Sequence, residues 1–184
     1  MTDPDLKALI QRMAQRDMAA FETFYRALEK PLFRFLASRL NDPFTCADLQ
    51  HEVFLDVWNG AARFEGRSTV KSWVFGIAYR KLMDHFRKQG RFTTDADMPE
   101  QEDDSPDALT CIAAAQDATH LRACLDGLKP DHRAAIELTF YQDMAYREIA
   151  EVLDVAEGTI KTRVFHAKKL LMHCLEGRFG ARGR

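Results

Sequence analysis

Several features that define other protein classes are missing from this sequence of 184 residues. No apolar run approaches the roughly 18–20 residues that a membrane-spanning helix needs. The first residues, Met-Thr-Asp-Pro-Asp, are acidic and polar, so we expect no secretory signal. The four cysteines lie far apart without a Cys-x-x-Cys pair, which argues against a zinc knuckle and against a disulfide-stapled secreted domain. We therefore expect a soluble, cytoplasmic protein of a reducing compartment.

Catalytic signatures are also missing. The chain has no glycine-rich phosphate loop, no His-Glu-x-x-His metal motif and no Gly-x-Ser-x-Gly nucleophile motif. The one local group of soft metal ligands, His166 with His173 and Cys174, lacks the second pair that a zinc site needs. We expect no enzyme activity, no metal site and no cofactor.

The charge is unevenly distributed, although the net charge is only −2. Residues 61–92 carry eight basic and two acidic side chains, and residues 154–184 carry seven and three. Between these basic blocks, residues 93–109 carry seven acidic side chains and no basic one. A near-neutral total therefore conceals a charge pattern that suits a nucleic-acid-binding protein.

Apolar residues recur at three- and four-residue spacing along most of the chain, which predicts an all-α fold. The first long apolar face covers residues 21–40, where Pro31 predicts a kink or break. A capping-box pattern at residues 45–48 predicts the start of the next helix.

The middle of the chain predicts a division into two small helical domains. A third helix is predicted over 70–88, stopped by Gly90. Residues 93–111 are acidic and contain two prolines, which is typical of a flexible, solvated linker. The predicted domains are therefore residues 1–92 and 112–184.

The segment 146–171 has the spacing of a helix-turn-helix, with a short apolar helix, a turn at 154–156 and a second amphipathic helix. Positive charge on the second helix suits DNA phosphates, and residues near its start suit base edges. A generic amphipathic hairpin with a solvated basic face is the alternative. With the apolar stripe inward, the outward positions are Gly158, Lys161, Thr162, Phe165 and Lys169, with Arg163, His166 and Lys168 at the margins.

The segment 63–92 combines eight basic residues with six aromatic ones. Exposed aromatic rings stack on unpaired bases with about 1–3 kcal/mol each. Trp73 and Ile77 are four residues apart and are expected in the core, whereas the small polar loop with Gly66 and Ser68 could cradle an extruded base. A solvated basic face is again the alternative.

An acidic stripe precedes this segment. Asp48, Glu52 and Asp56 recur every four residues, which places them on one face of the predicted helix. Such a stripe is either a solvated face or a docking surface for another protein's helices.

In this order, the segments resemble the extracytoplasmic-function (ECF) sigma factors, the smallest members of the bacterial primary-sigma family. Ala-Asp-Leu-Gln-His-Glu-Val-Phe-Leu at 47–55 is similar to the family's core-binding helix. Residues 64–78 and 84–88 look like its promoter-melting segment, and residues 128–164 are similar to its helix-turn-helix domain. The resemblance covers about residues 20–172 and depends on the combination of motifs.

The resemblance implies core RNA polymerase and promoter DNA as partners, together with an anti-sigma factor. The residues implied for the clamp helices of the largest polymerase subunit are Asp48, Leu49, Glu52, Val53 and Leu55. Those implied for the single-stranded minus-ten element are Phe64, Gly66, Arg67, Ser68, Lys71, Arg80, Arg87 and Lys88. Those implied for the minus-thirty-five element in the major groove are Gly158, Thr159, Lys161, Thr162, Arg163, Phe165, His166 and Lys169.

Five positions depart from the family pattern. His51 stands where glutamine is usual and Arg80 where asparagine is common, so we expect one altered core contact and an altered minus-ten preference or a plain phosphate contact. Ala145 and Ala156 occupy positions where capping hydroxyls or proline are frequent, which predicts weak helix starts. Asp154 replaces a common glycine in the turn, and aspartate tolerates that conformation better than most residues.

The function implied by the resemblance is promoter-specific initiation of transcription, with promoter melting by base capture rather than catalysis. Two other classes remain open on the sequence. A conventional repressor or activator would bind DNA tightly on its own, as a dimer on a palindrome. A helical adaptor would show no response to salt or promoter sequence.

Overall fold

The computed structural model of the chain describes residues 1–40, 42–90 and 118–180. Every regular element in these ranges is a helix, which confirms the predicted all-α fold. The chain divides into two compact units, and the domain bounds 1–92 and 112–184 stay a prediction. The predicted linker, 93–111, lies outside the described residues. No helix in the described ranges is long and apolar enough to cross a membrane.

The first unit contains helices whose apolar stripes face a common core. The rings of Phe35 and Phe75 meet edge to face there, with centroids 5.1 Å apart. The predicted third helix is confirmed, and Gly90 adopts a left-handed φ of 66° just after it. The elements are α1 (Asp3–Ala14), α2 (Met18–Ala37), α3 (Pro43–Gly60), a 3₁₀ turn (Ala61–Arg63) and α4 (Val70–Lys88).

Helix α2 continues through Pro31, so of the predicted kink or break the break is wrong and the kink stays a prediction. A proline inside a helix costs about 3 kcal/mol or more. Each large apolar side chain that is fully buried contributes about 1.5–3 kcal/mol. Because α2 buries Phe24 and Leu28 before the proline and Leu32 and Leu36 after it, packing on both sides outweighs that cost.

Helix α3 begins earlier than the capping-box pattern predicted. Its N-cap is Asp42, whose carboxylate accepts hydrogen bonds from the backbone N–H groups of Phe44 (3.2 Å) and Thr45 (2.9 Å). The hydroxyl of Thr45 also donates to this carboxylate, and these hydrogen bonds lower the pKa of Asp42. Thr45 therefore supports the cap instead of forming it, because Pro43 occupies the first helical turn.

Residues 118–180 confirm the helix-turn-helix spacing, and those outside 151–154 belong to the second unit. Ile149 of the first helix and Ile160 and Val164 of the second are buried in one apolar core. Asp154 takes the left-handed conformation expected of it, with φ 55°. The described elements are α5 (Ala118–Asp126), α6 (Pro130–Gln142), α7 (Tyr146–Leu153) and α8 (Glu157–Gly180).

A disulfide joins Cys124 of α5 to Cys174 of α8, with the two Cα atoms 5.9 Å apart. Sequence analysis did not predict this bond, because the two cysteines are separated by 50 residues and belong to no local motif. The packing of α5 against α8 brings them together. Cys46 is a buried free thiol.

Candidate functional site

The outer face of α3 is acidic and contains two exposed apolar side chains, Phe44 and Leu55. Asp48, Glu52 and Asp56 are all exposed, and Leu55 beside them is 59% exposed. Leu49 and Val53 are buried, so they lie beneath this surface, and their part in polymerase binding stays a prediction. They hold α3 against the core because they lie on its inner stripe. The acidic residues, Leu55 and Phe44 lie on the outer face.

A lysine on the neighbouring helix organises this acidic face. Lys81 Nζ of α4 lies 3.1 Å from Glu52 Oε2 and 2.9 Å from Asp56 Oδ2. Partial burial acts to lower the pKa of Lys81, but its hydrogen bonds to Asp56 and Glu52 outweigh this effect and raise the pKa. Two of the three stripe carboxylates are therefore fixed in place by one cation, which sequence spacing did not reveal.

The orientation of α3 is set by contacts with α2. The buried side chain of Gln50 donates from Nε2 to the backbone oxygen of Glu29 at 2.6 Å. The ring centroids of Tyr25 and Phe54 are 4.5 Å apart. Gln50 was missed as a positioning residue, although its helical spacing from Val53 placed it on the inner stripe.

The loop between the 3₁₀ turn and α4 contains the residues predicted to read single-stranded DNA. Gly66, at its exposed apex, has φ 72°, a conformation that favours glycine. The ring of Phe64 packs on Trp73 with centroids 4.8 Å apart, so it is anchored rather than free to stack. Arg67 is exposed and forms an ion pair with Glu65.

The basic residues predicted on α4 do not share one face. Arg80, Arg87 and Lys88 are exposed on the same side of the helix, and Arg87 is paired with Asp84 at 3.2 Å. Lys71 lies nine residues before Arg80, about two and a half turns away, and therefore points to the opposite side. The structure brings Lys71 close to the loop and not to the other three cations.

The first helix of the helix-turn-helix begins with a side-chain cap. The backbone N–H of Ala145 donates to Glu148 Oε2 at 2.8 Å. This contact supplies one half of a capping box. The other half needs a side-chain oxygen at Ala145, so the weak helix start stays a prediction.

On α8, the predicted DNA-contacting residues separate into exposed and buried groups. Lys161 and Lys169 are exposed, and Gly158, Thr159, Phe165 and His166 are half-buried. Thr162 was predicted to face outward but is only 8% exposed, and its hydroxyl donates to the backbone oxygen of Gly158 at 3.1 Å. Arg163 is paired with Asp131 of α6 at 3.0 Å.

Two histidines meet beside this helix. The rings of His132 and His166 are stacked with centroids 6.4 Å apart. Burial, together with the positive charges of His166, Arg163 and Lys129, lowers the pKa of His132. His132 therefore favours its neutral form, and sequence analysis did not single it out.

Comparison with known families decides the assignment. Residues 24–92 match the model of sigma-70 region 2, and residues 119–171 match that of sigma-70 region 4. The chain is 31% identical to the ECF RNA polymerase sigma factor SigX of Bacillus subtilis, over 85% of this chain and 84% of the relative. The chain belongs to the ECF sigma factors. It is also 28% identical to the ECF sigma factor SigK of Mycobacterium tuberculosis, over 94% of each chain.

Two solved structures share the fold of this chain. CnrH, in complex with the cytosolic domain of CnrY, superposes with a TM-score of 0.68 at 20% identity, covering 94% of this chain and 98% of that one. RpoE of Bartonella quintana, in complex with the anti-sigma factor NepR, gives 0.63 at 25% identity, covering 84% and 98%. In this ECF sigma factor, the region 2 match contains α3, the loop and α4, and the region 4 match contains the helix-turn-helix.

Proposed function

We propose that this ECF sigma factor binds core RNA polymerase, directs it to specific promoters and helps to melt the minus-ten element. The observation that carries the proposal is the order of three surfaces within the matched regions. These are the acidic face of α3, the loop with α4, and the exposed cations of α8.

The acidic face of α3 is the proposed polymerase contact. Asp48 and Glu52 supply charge, and Leu55 supplies exposed apolar area near the centre of the face. Such a combination of an apolar anchor and surrounding charge is typical of protein interfaces. Leu49, Val53 and Lys81 position this surface from beneath and beside it.

The loop and α4 are the proposed site for the melted strand. Gly66, Arg67 and Ser68 leave room and polar groups for an unpaired base, and the cations Arg80, Arg87 and Lys88 attract the phosphate backbone. Melting then needs no catalytic residue, because capture of an extruded base shifts the opening equilibrium. Arg80 is assigned a phosphate contact.

The exposed start of α8 is the proposed reader of duplex minus-thirty-five DNA. Lys161 is 60% exposed and Lys169 is exposed two turns later, so both can reach phosphates on one side of the helix. Gly158 and Thr159 lie at the start of α8, where base edges are read in helix-turn-helix proteins. Thr162 stabilises the helix through its hydrogen bond to Gly158. Arg163 is ion-paired with Asp131 in the free protein and is proposed to contact DNA only when this pair opens.

Control by an anti-sigma factor is the natural extension of this proposal. Two structurally similar proteins, CnrH and the sigma factor RpoE, were each solved with a bound partner, and the partner of RpoE is an anti-sigma factor. We assign the protein to the cytoplasm, where core polymerase and promoter DNA are present.

A run-off transcription assay tests the proposal directly. Purified bacterial core polymerase, this protein and the DNA upstream of its own gene are combined, with either protein omitted in the controls. Specific transcripts are expected only when both proteins are present. If core polymerase neither binds the protein nor gains promoter activity while the protein alone retards DNA, a conventional DNA-binding regulator replaces the proposed function.

A further inference from the structure

Helix α1 lies outside the region 2 match, which begins at residue 24, yet it contacts both ends of the loop proposed to capture the melted strand. It packs against the 3₁₀ turn that precedes the loop, where Ala61 is buried. At the other end of the loop, the backbone N–H of Val70 donates to Asp3 Oδ1 at 2.7 Å. Residues 67 positions apart are thus joined at the first residue of α4.

Both oxygens of the Asp3 carboxylate have a partner. Oδ1 accepts from Val70, and Oδ2 lies 3.0 Å from the ammonium of Lys7, one turn along α1. The start of α1 is itself fixed by a capping box, in which the backbone N–H of Thr2 donates to Asp5 Oδ2 at 2.9 Å. Asp3 therefore contacts α4 from the capped first turn of α1.

Asp3 completes the cap of α4. The N-cap Thr69 accepts from the backbone N–H of Ser72 at 3.2 Å, and Asp3 accepts from that of Val70. The first backbone N–H groups of a helix have no partner within the helix, so each needs an external acceptor. A carboxylate there also interacts favourably with the positive end of the helix dipole.

The loop is thereby fixed at two points. Phe64 is anchored at its start by the ring of Trp73, and Val70 is anchored at its end by Asp3. The exposed apex between these anchors contains Gly66 and Arg67. Without the second anchor, the apex residues would sample more positions before they met a base, and ordering them would weaken binding.

We infer that Asp3 is a positioning residue for minus-ten recognition, acting through the Val70 backbone N–H. This inference rests on the proposed function, because it needs the loop to bind the melted strand. It assigns no contact between Asp3 and DNA.

The test uses the full-length protein and three variants. Asp3→Ala removes the acceptor, Asp3→Asn keeps an oxygen acceptor without the charge, and Lys7→Ala removes only the ion pair. Amide hydrogen exchange measures the hydrogen bond at Val70. Holoenzyme formed with each variant is then titrated with a single-stranded oligonucleotide selected by the wild-type holoenzyme from a randomised pool, and with its scrambled counterpart.

For Asp3→Ala, we expect at least tenfold faster exchange at Val70 and a roughly three- to tenfold loss of preference for the selected strand. Binding to core polymerase and to duplex minus-thirty-five DNA should not change. Asp3→Asn and Lys7→Ala should each reduce the preference for the selected strand by less than about twofold. Rescue by asparagine separates the role of the acceptor from a general effect of the N-terminal charge.

Unchanged strand preference in Asp3→Ala, despite faster exchange at Val70, overturns the inference and leaves the proposed function intact. An equal loss in all three variants also overturns it, because the acceptor would then not be the cause. A wild-type holoenzyme that selects no sequence from the pool contradicts the proposed function itself, and the inference with it.

Discussion

The guanidinium of Arg163 lies 3.0 Å from the carboxylate of Asp131, measured from Nη2 to Oδ2, and its side chain is only 15% exposed. This pair joins the proposed recognition helix α8 to the start of α6. It also neutralises a cation in the middle of a surface proposed to meet DNA. The pairing suggests that part of the positive charge of α8 is withheld in the free protein.

Asp131→Asn should release this charge. We expect duplex minus-thirty-five DNA to bind a few-fold more tightly at low salt. The slope of log affinity against log salt concentration should become steeper by about one, because one more counterion is released. Asp126→Asn is the matched control, since it removes the same charge from a residue paired with Arg133 instead. Equal salt slopes for the two variants would show that Arg163 does not reach phosphate.

Lys161→Ala should weaken minus-thirty-five binding and reduce the salt slope by about one, because its exposed ammonium is assigned to a phosphate. Its partner Glu157 lies 3.2 Å away, and an exposed pair of this kind contributes about 0–1 kcal/mol to stability. Glu157→Ala should therefore have the opposite, smaller effect on DNA binding. An unchanged footprint and slope in Lys161→Ala would contradict the assignment of α8.

Glu52→Arg should abolish co-elution with core polymerase, because it reverses the charge at the centre of the acidic face. The protein should stay folded, since Glu52 is exposed and Lys81 keeps its contact with Asp56. Asp84→Arg makes the same charge change on α4, away from that face, and serves as the control. Normal co-elution of Glu52→Arg would remove α3 from the proposed interface.

The second unit should lose stability as the pH falls below about 6.5, the ordinary pKa of histidine. The pKa of His132 is lower in the folded protein, so below 6.5 the unfolded chain binds a proton that the folded chain does not. The facing charges of His166, Arg163 and Lys129 strengthen this effect, and Asp131 opposes it. One such proton corresponds to a slope of at most about 1.4 kcal/mol per pH unit.

Chemical denaturation of wild type, His132→Phe and His173→Phe between pH 5 and 8 measures this contribution. His132→Phe should reduce the loss of stability of the second unit below pH 6.5. His173→Phe, which replaces an exposed histidine, should leave that loss unchanged. Parallel limbs for all three proteins would contradict a role for His132.

Reduction of the Cys124–Cys174 bond should destabilise the second unit. A crosslink between residues 50 positions apart contributes about 4 kcal/mol in the chain-entropy description, within a measured range of about 2–5. Thermal unfolding with and without a dithiol should show a fall of more than about 10 °C in the transition of this unit. Cys124→Ser should be insensitive to the dithiol, and Cys46→Ser should respond like wild type.

The sequence predicted features that local patterns determine. The helix-turn-helix followed from helical spacing around Asp154, and the acidic stripe followed from the four-residue repeat of Asp48, Glu52 and Asp56. The errors arose where tertiary contacts decide. At Pro31, packing on both sides keeps the helix continuous. Thr162 is a different case, because it is buried and its hydroxyl bonds to a backbone oxygen of its own helix.

Other relationships have no local signal. The contact of Asp3 with Val70 and the bond between Cys124 and Cys174 join residues 67 and 50 positions apart, so only the folded chain brings them together. For Gln50, helical spacing predicts its place on the inner stripe of α3. Its hydrogen-bond acceptor, the Glu29 backbone oxygen on α2, has no signal in the sequence.

The disulfide also changes the path that force takes through the chain. When the protein is pulled from its two ends, tension crosses from Cys124 to Cys174 through the sulfur atoms and bypasses the residues between them. About 170 Å of contour length, at about 3.4 Å per residue, is thus withheld from extension. The helix-turn-helix lies inside that shielded length. If the oxidised protein were pulled through an unfolding enzyme, its recognition helix would enter within a crosslinked loop. In the reduced protein, the same helix would enter as a single extended polypeptide.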